Sequence, residues 1–397
     1  MRTTRICLVT LALTASGSIL AQDFIHYKFD SPCTTEVINY ATGPQALASN
    51  GTIQSTLTGS SYTAGVFGGA LAAGSLISPT TYNKVLTGWD PSVQNVTGDL
   101  TMAWFMREAS PLGSAGTTID YLAGAPNGGF RLFTNGVAGR GLYQRVILAG
   151  GGNGINATIT NDFYLPATTY DVQTAAQAGW VHIAMVVDST AQTADWYVNG
   201  TSVLQLTGVP GALISAAGPF MIGAYSTTAG GSAYEMDEFV MSLRAYSATE
   251  VLQLSLAQMA GDGDYTSGST TQCGTLGLAS TGGRPSLGNA SYALEVTPTA
   301  PSLFAIQFGF TRCLYAGTFQ LPFDGGLLHP LGTGCTVLAD GAVTVSGVAT
   351  TGPASFPFPI PAAAGFSSVQ FYTQALAVNL GTFAVSASNG FTFSLGY

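Results

Sequence analysis

The sequence has few charged residues. Asp, Glu, Lys and Arg make up only 8% of its 397 residues, whereas ordinary soluble domains carry about a quarter. Basic residues are the scarcer class, with eleven against twenty acidic ones, and the formal net charge is −9. Binding to a phosphate backbone requires clustered Lys and Arg. The composition therefore argues against nucleic acid as a partner.

Long apolar runs are also missing. No segment offers the roughly 18 consecutive apolar residues that a membrane-spanning helix needs, so no membrane span is predicted. Residues 1–21 are typical of a secretory signal, because Arg2 and Arg5 precede an apolar stretch that gives way to small residues before Ala21. We expect cleavage after Ala21 and a secreted protein, extracellular or at the cell surface. Nine basic and twenty acidic residues would then leave a formal net charge of −11.

Cysteine is rare, and Cys7 would leave with the signal. The other four, Cys33, Cys273, Cys313 and Cys335, would enter an oxidising compartment, where an even number implies disulfides. Their three possible connectivities stay open, but three of the four lie beyond residue 270, so we expect at least one bridge within the C-terminal part. A zinc site is less favoured because no pair has CxxC spacing.

Short alternating runs separated by Gly, Pro and Asn are abundant, and Gly alone numbers 51. This pattern predicts an all-β protein with two domains. We place the first domain at 22–260, a Gly-rich linker "GDGDYTSGSTTQ" at 261–272, and a smaller antiparallel β-sandwich at 273–397. One short helix is predicted, because "SATE" at Ser247–Glu250 forms a capping box ahead of an apolar run, and we expect this helix to end near Ala260.

The order of segments in the first domain resembles a known family. "HYKFD" (26–30), "LTMAWFM" (100–106), the hairpin "GWVHIAMVVDSTAQTADWYVNG" (179–200) and the closing strand and helix are similar to laminin-G-like domains. The resemblance implies a concanavalin A-like jelly-roll sandwich. Residues 181–187 agree with it, because they are apolar on both faces, as a central sandwich strand requires. "NG" at 199–200 favours a tight hairpin.

The C-terminal part has a less specific resemblance. "CGTLG" and "GTGC", around Cys273 and Cys335, are similar to β-modules at the C-termini of exported bacterial proteins, particularly of planctomycete type. The role of such modules is poorly defined. We therefore expect a structural role or a role in surface attachment for this part of the chain.

Three carboxylates in "YEMDEF" raise the question of catalysis, since the concanavalin A-like fold also houses glucanases with a Glu-x-Asp-x-Glu pattern. Here Glu235 and Asp237 fit, but Phe239 or Val240 occupies the place of the second glutamate. Strand alternation predicts that Glu238 faces away from the other two. The motif is incomplete at 235–239, so the prediction is a non-enzyme, with a glycoside hydrolase as the alternative.

The remaining hypothesis is a carbohydrate- or surface-binding protein of adhesion type, whose partner is a glycan or a cell-surface component. Its alternative is a structural cell-surface protein without a small ligand. A binding surface would present aromatic and hydrogen-bonding side chains on one sheet face or rim. The candidate ligand-binding residues are Trp196, Phe105, Arg107, Tyr143 and Arg145.

A structural calcium ion is also implied by the resemblance, since related jelly rolls often hold calcium beside the opening strand. Asp237 and Asp30 are the candidate ligands, with backbone carbonyls of "FGG" (67–69) completing an all-oxygen site. The alternative is that Asp237 accepts hydrogen bonds from turn amides at the rim of the sandwich.

Overall fold

The structure is a computed structural model. It describes residues 23–41, 50–74, 82–91, 93, 96–109, 119–126, 130–135, 141–145, 147–148, 162–214, 218–226, 232–265, 273–350 and 352–397. The predicted signal segment lies outside these residues. The regular structure of the described residues is mainly antiparallel β-sheet, which confirms the all-β prediction.

The strands are, in chain order, β1 Asp23–Tyr27, β2 Glu36–Val37, β3 Gly51–Ser55, β4 Tyr62–Ala64, β5 Gly69–Leu71, β6 Asn83–Leu86, β7 Val96–Gly98, β8 Leu100–Glu108, β9 Ile119–Gly124, β10 Arg131–Asn135, β11 Gly141–Arg145, β12 Ile147–Leu148, β13 Asp162–Leu165, β14 Val181–Asp188, β15 Thr193–Val198, β16 Thr201–Thr207, β17 Ala212–Ile214, β18 Met221–Ile222, β19 Tyr234–Ser242, β20 Gly261–Tyr265, β21 Leu276–Thr281, β22 Ala293–Pro298, β23 Ser302–Gly309, β24 Leu314–Tyr315, β25 Phe319–Gln320, β26 Phe323–Asp324, β27 Thr336–Val337, β28 Val343–Ala349, β29 Ala354–Pro357, β30 Gln370–Asn379 and β31 Val385–Ser394. The helices are α1 Val172–Ala178 and α2 Ala248–Leu256, with short 3₁₀ turns at Gly325–Leu327, Pro330–Gly332 and Ala364–Phe366.

The N-terminal half is a sandwich of two large sheets. In its described residues the first sheet has the order β16-β15-β14-β8-β19-β5-β4, with β1 also paired to β19, and the second has the order β13-β11-β10-β9-β18-β6-β3-β2. Trp89, Trp104 and Trp196 lie in the core formed with their apolar neighbours. Strand β14 lies between β15 and β8, as its two apolar faces predicted. This is the expected concanavalin A-like fold.

Local signals in the sequence also form as predicted. Asn199 and Gly200 both have positive φ and make the turn between β15 and β16, the geometry that a tight hairpin requires. Ser247 and Glu250 form the capping box of α2. The helix ends at Leu256, earlier than predicted, and packs Val251 and Leu254 on the outer side of the first sheet.

The C-terminal half is a second, smaller sandwich with the sheet order β28-β23-β30-β31-β21-β22-β29 in its described residues. Its core contains Tyr292, Ile306 and Phe393. The predicted linker begins too early, because Gly261–Tyr265 is not a loop but strand β20, which pairs with β31. A side chain at Gly261 would clash with Tyr40, and one at Gly263 would clash with Asn39, so both positions require a very small residue. Residues 266–272 lie outside the described part of the chain.

The two sandwiches are joined by covalent and polar contacts. One disulfide, Cys33–Cys313, connects them, and the other, Cys273–Cys335, lies within the C-terminal half as predicted. A small apolar cluster between them includes Tyr40, Tyr265 and Tyr372. None of the helices among the described residues has the length and apolar character required to cross a bilayer.

Candidate functional site

A group of aromatic side chains lies on the outer side of the second sheet. Tyr121 in β9 is directly opposite Phe133 in β10, and Tyr164 lies in β13 two strands further. Their neighbours Leu132 and Phe163 point into the core. Because side chains alternate along a strand, Phe133 and Tyr164 face outward. We call the surface formed by Tyr121, Phe133, Tyr164, Arg131 and Tyr225 the aromatic face.

Stacking holds the centre of the aromatic face together. The ring centroid of Tyr121 lies 4.1 Å from that of Tyr225 and 5.6 Å from that of Phe133. The guanidinium of Arg131 lies 4.4 Å from the ring of Tyr225 and 5.7 Å from that of Tyr121. Phe133 is buried, whereas Tyr121, Arg131, Tyr164 and Tyr225 are half-buried. The result is a firm platform with accessible ring surface and a cation stacked on it.

Two predicted ligand-binding residues lie beside this face. Strand β11 runs between β10 and β13, where Tyr143 pairs with Phe133 and Tyr164, and Arg145 pairs with Arg131. The side chains of Tyr143 and Arg145 lie outside the described residues. Their backbone positions nevertheless belong to the strand that crosses the aromatic face.

The other predicted ligand-binding residues lie in the first sheet. Trp196 has an exposed fraction of 0% and Phe105 one of 6%, so neither is available as a surface contact. Trp196 belongs to the sandwich core, and Phe105 packs against Phe67 and His182. The alternation of residues along a strand does not predict the burial of both side chains, because both faces of the first sheet are covered. These two assignments are corrected to packing roles.

Arg107 is half-exposed but already engaged. Its Nε lies 2.6 Å from Oε2 of Glu235, and its guanidinium lies 4.7 Å from the ring of Trp180. The five predicted residues therefore do not form one surface. Tyr121, Arg131 and Tyr225 are not among the predicted residues, because the strand pairing that brings them together cannot be read from the sequence alone.

The three carboxylates of strand β19 have separate partners. Glu235 binds Arg107, whereas Asp237 accepts hydrogen bonds from the backbone N–H groups of Val66 and Phe67, at 2.8 and 3.2 Å. The prediction that Glu238 faces away from Asp237 is wrong. A bulge interrupts the pairing of β19 with β8 after Asp237, and Glu238 has a φ of +48°. The bulge breaks the alternation, so both carboxylates join the same buried cluster.

This buried cluster lies where the two sandwiches meet. Glu238 accepts from Nε2 of Gln258 at 2.9 Å and lies 3.1 Å from Nε2 of His26. Gln258 also donates to Asp30 at 3.2 Å. Burial would raise the pKa of Glu238, but the neighbouring Lys28 and His26 hold this pKa below its usual range.

Asp30 and Asp237 behave in the opposite way. Burial, reinforced by the nearby charge of Glu238, raises the pKa of Asp30 to about 7 and the pKa of Asp237 well above its usual range. Glu238 is therefore the carboxyl of this cluster that ionises most readily. Burial lowers the pKa of Lys28, but the neighbouring Glu238 and Asp30 oppose this shift, so Lys28 is the cation that accompanies the charge of Glu238. Lys28, completely buried, donates to the backbone carbonyl of Met259.

The donor set of the cluster does not fit calcium. Oxygens of Asp237 accept from Val66, Phe67 and Glu238 amides, and those of Asp30 accept from Gly69 and Gln258. Calcium needs six to eight oxygen ligands, and N–H groups cannot supply them. Across the residues that the structure describes, no group of three or more His, Cys, Asp or Glu side chains is arranged to hold a metal. Asp237 matches the alternative, in which it accepts from turn amides.

Comparison with known proteins agrees with this fold. A family model of the concanavalin A-like lectin/glucanases superfamily, of laminin G type, matches residues 81–252. This span covers most of the N-terminal sandwich, including β9, β10, β13 and Tyr225 of the aromatic face. A search of curated proteins finds no match.

Several solved structures are similar at low identity. Domain 4 of an extracellular arabinanase from Geobacillus stearothermophilus, in complex with arabinotriose, is 16% identical over 59% of this chain and 98% of that chain, with a TM-score of 0.38. The binding domain of botulinum neurotoxin DC, in complex with SialylT, is 9% identical over 95% of each chain, with a TM-score of 0.41. These scores are too low to transfer a ligand or an activity.

Proposed function

We propose that the protein is a secreted, non-catalytic carbohydrate-binding protein and that the aromatic face contacts the glycan. The observation that carries this proposal is the stacking of Arg131 on Tyr121 and Tyr225 at an accessible sheet surface. Sugar rings have apolar C–H faces and hydroxyl edges. Aromatic rings pack against the apolar C–H faces. A guanidinium, with its fixed fork of N–H donors, forms hydrogen bonds with the hydroxyl groups.

Preorganisation supports the same proposal. Tyr121 is held between Phe133, on the neighbouring strand of a packed sheet, and Tyr225, in the segment that follows β18. Side chains that are already ordered lose little conformational entropy when a ligand binds. Tyr143 and Arg145, from the adjoining strand β11, are proposed to extend the same surface.

A non-catalytic role is proposed from the carboxylates. Retaining glycosidases need two carboxyl groups about 5 Å apart that can act as acid and nucleophile. Here Glu235 is paired with Arg107, and Asp237 and Glu238 accept hydrogen bonds from the protein itself. Their contacts suit a structural network better than proton transfer to a substrate.

The test is a glycan-array screen of the full chain, with binding and hydrolysis both measured. We expect wild type to bind at least one class of glycan without releasing smaller sugars, and Tyr121→Ala/Tyr225→Ala to lose binding. Tyr82→Ala is the matched control, because Tyr82 is another half-buried tyrosine with a cation, Lys84, 4.2 Å from its ring.

Two outcomes would contradict the proposal. A protein that binds no glycan but still localises to the cell surface would favour the structural alternative. Release of smaller sugars, lost in Glu235→Gln, would instead identify an enzyme.

A further inference from the structure

The two outer strands of the C-terminal sheet differ sharply. Strand β29 is flanked or ended by Pro353, Pro357 and Pro359, which cannot donate backbone hydrogen bonds to a further strand. Strand β28, "VTVSGVA", has no proline and no charge, and pairs on one side with β23. No strand in the described part of the chain pairs with its other side. One edge is blocked and the other is open.

Apolar cavities lie on both faces of the open edge. On one face Ser346 borders a cavity of about 400 Å³, together with Leu303, Leu331 and Leu376. On the other face Val343 and Val345 border a cavity of about 170 Å³ lined by phenylalanines. Val343 and Val348 have exposed fractions of 55% and 57%. Natural proteins protect such edges with Lys, Pro or a covering segment, and β28 has neither residue.

Charge favours a second copy of the chain as the occupant. The formal net charge of the whole chain is −9, so most pairs of surfaces on two copies repel each other. Residues 273–397, however, contain only five Asp, Glu, Lys or Arg residues: Arg284, Arg312, Glu295, Asp324 and Asp340. Both arginines pair with the N-terminal half. The open edge therefore meets its own copy without like-charge repulsion.

We infer that β28 is a self-association edge, at which two chains pair antiparallel about a twofold axis. Full overlap of the seven residues places Ser346 opposite Ser346 of the second chain, with Thr344 opposite Val348. Side chains of each β28 then cover the cavity mouths of the other chain on both faces. The dimer would also carry two aromatic faces, one on the N-terminal half of each chain, which raises avidity for a repeating glycan.

The experiment is sedimentation velocity of the full chain with charges placed at the symmetry centre. Wild type should sediment as a dimer. Ser346→Lys and Ser346→Glu should each associate at least about tenfold more weakly, because like charges directly opposite each other destabilise a strand pair. An equimolar mixture of the two variants should recover the dimer. Ser355→Lys, an exposed serine on the blocked edge β29, is the matched control and should behave as wild type.

The recovery in the mixture shows that the variants are folded and that the two positions meet. A monomeric wild type would overturn the inference, and 1:1 binding of dodecanol by that monomer would assign the larger cavity to a small apolar ligand. Dimers that persist in both Ser346 variants would place the interface elsewhere. None of these outcomes depends on glycan binding.

Discussion

The two halves of the protein treat charge in opposite ways. The N-terminal half buries Lys28, Asp237 and Glu238 completely or nearly so, whereas the C-terminal half has few charges and exposes apolar side chains such as Phe310 and Phe383. Burying a charge is costly unless it is paired. The buried charged groups of the N-terminal half therefore need partner groups, and the question is which residues supply them.

Several partners come from the C-terminal half. Arg284 lies 2.7 Å from Asp23, and Arg312 lies 3.0 Å from Glu36. Burial opposes ionisation of Asp23, but Arg284 and the Tyr246 hydroxyl hold the pKa of this carboxyl below its usual range. Both arginines of the second sandwich thus complete ion pairs of the first. The C-terminal half is part of the folded unit and not an appended module.

The largest expected effect comes from removing the buried cation. Lys28→Met leaves Glu238 charged and without its compensating ammonium, so we expect a loss of about 3–5 kcal/mol in the free energy of unfolding. Lys28→Met/Glu238→Gln removes both charges and should recover part of that loss. Urea unfolding measures both. Equal stability of Lys28→Met and wild type would mean that the cluster is not charged as described.

The second effect concerns the covalent link between the halves. Replacing Cys33 and Cys313 by Ser should lower the free energy of unfolding by about 2–4 kcal/mol, because the bridge closes a long loop. It should also broaden the calorimetric transition or split it in two. The control, with Cys273 and Cys335 replaced, should affect only the C-terminal half. Nonreduced peptide mapping that finds Cys33 bonded to Cys273 or Cys335 would contradict this arrangement.

The third effect is a pH dependence of stability that the buried carboxyl group of Asp120 causes. Burial raises the pKa of Asp120 to about 7, although Ala233 donates to it. The folded state therefore holds this proton more tightly than the unfolded state, and stability falls as pH rises from about 4 to 7. Asp120→Asn should gain stability over wild type across that window, by at most about 1.4 kcal/mol per pH unit. A constant difference between pH 5 and 8 would rule out the shift.

The smallest expected effect is that of calcium. Because the oxygens of Asp30 and Asp237 accept N–H donors, the melting temperature should be the same with calcium and with chelator. Asp237→Ala should lower it equally in both conditions, since the bonds to Val66 and Phe67 are lost. A rise in melting temperature with calcium, absent in Asp237→Ala, would restore the metal site.

Local and periodic features could be predicted from the sequence. The capping box at Ser247 and Glu250, the turn at Asn199 and Gly200 and the central strand β14 depend on neighbours or on a period of two residues. Such features carry their signal within a few residues of sequence, so they form as expected.

Features that depend on distant pairing could not be predicted. The bulge at Glu238 reverses the face that alternation predicts, and Gly261–Tyr265 has a loop-like composition but pairs with β31. Tyr121 and Tyr225 are more than 100 residues apart and meet only through the order of the second sheet. Trp196 shows the same limit, because an aromatic residue in a strand does not reveal whether its face is covered.

The most direct test of the proposed function is a calorimetric titration of the full chain with a glycan found on the array. We predict one site per chain, with wild type and Tyr82→Ala binding equally and Tyr225→Ala binding at least about tenfold more weakly, as expected for loss of a stacking aromatic contact. Equal affinity of Tyr225→Ala and wild type would contradict the assignment of the aromatic face as the binding site.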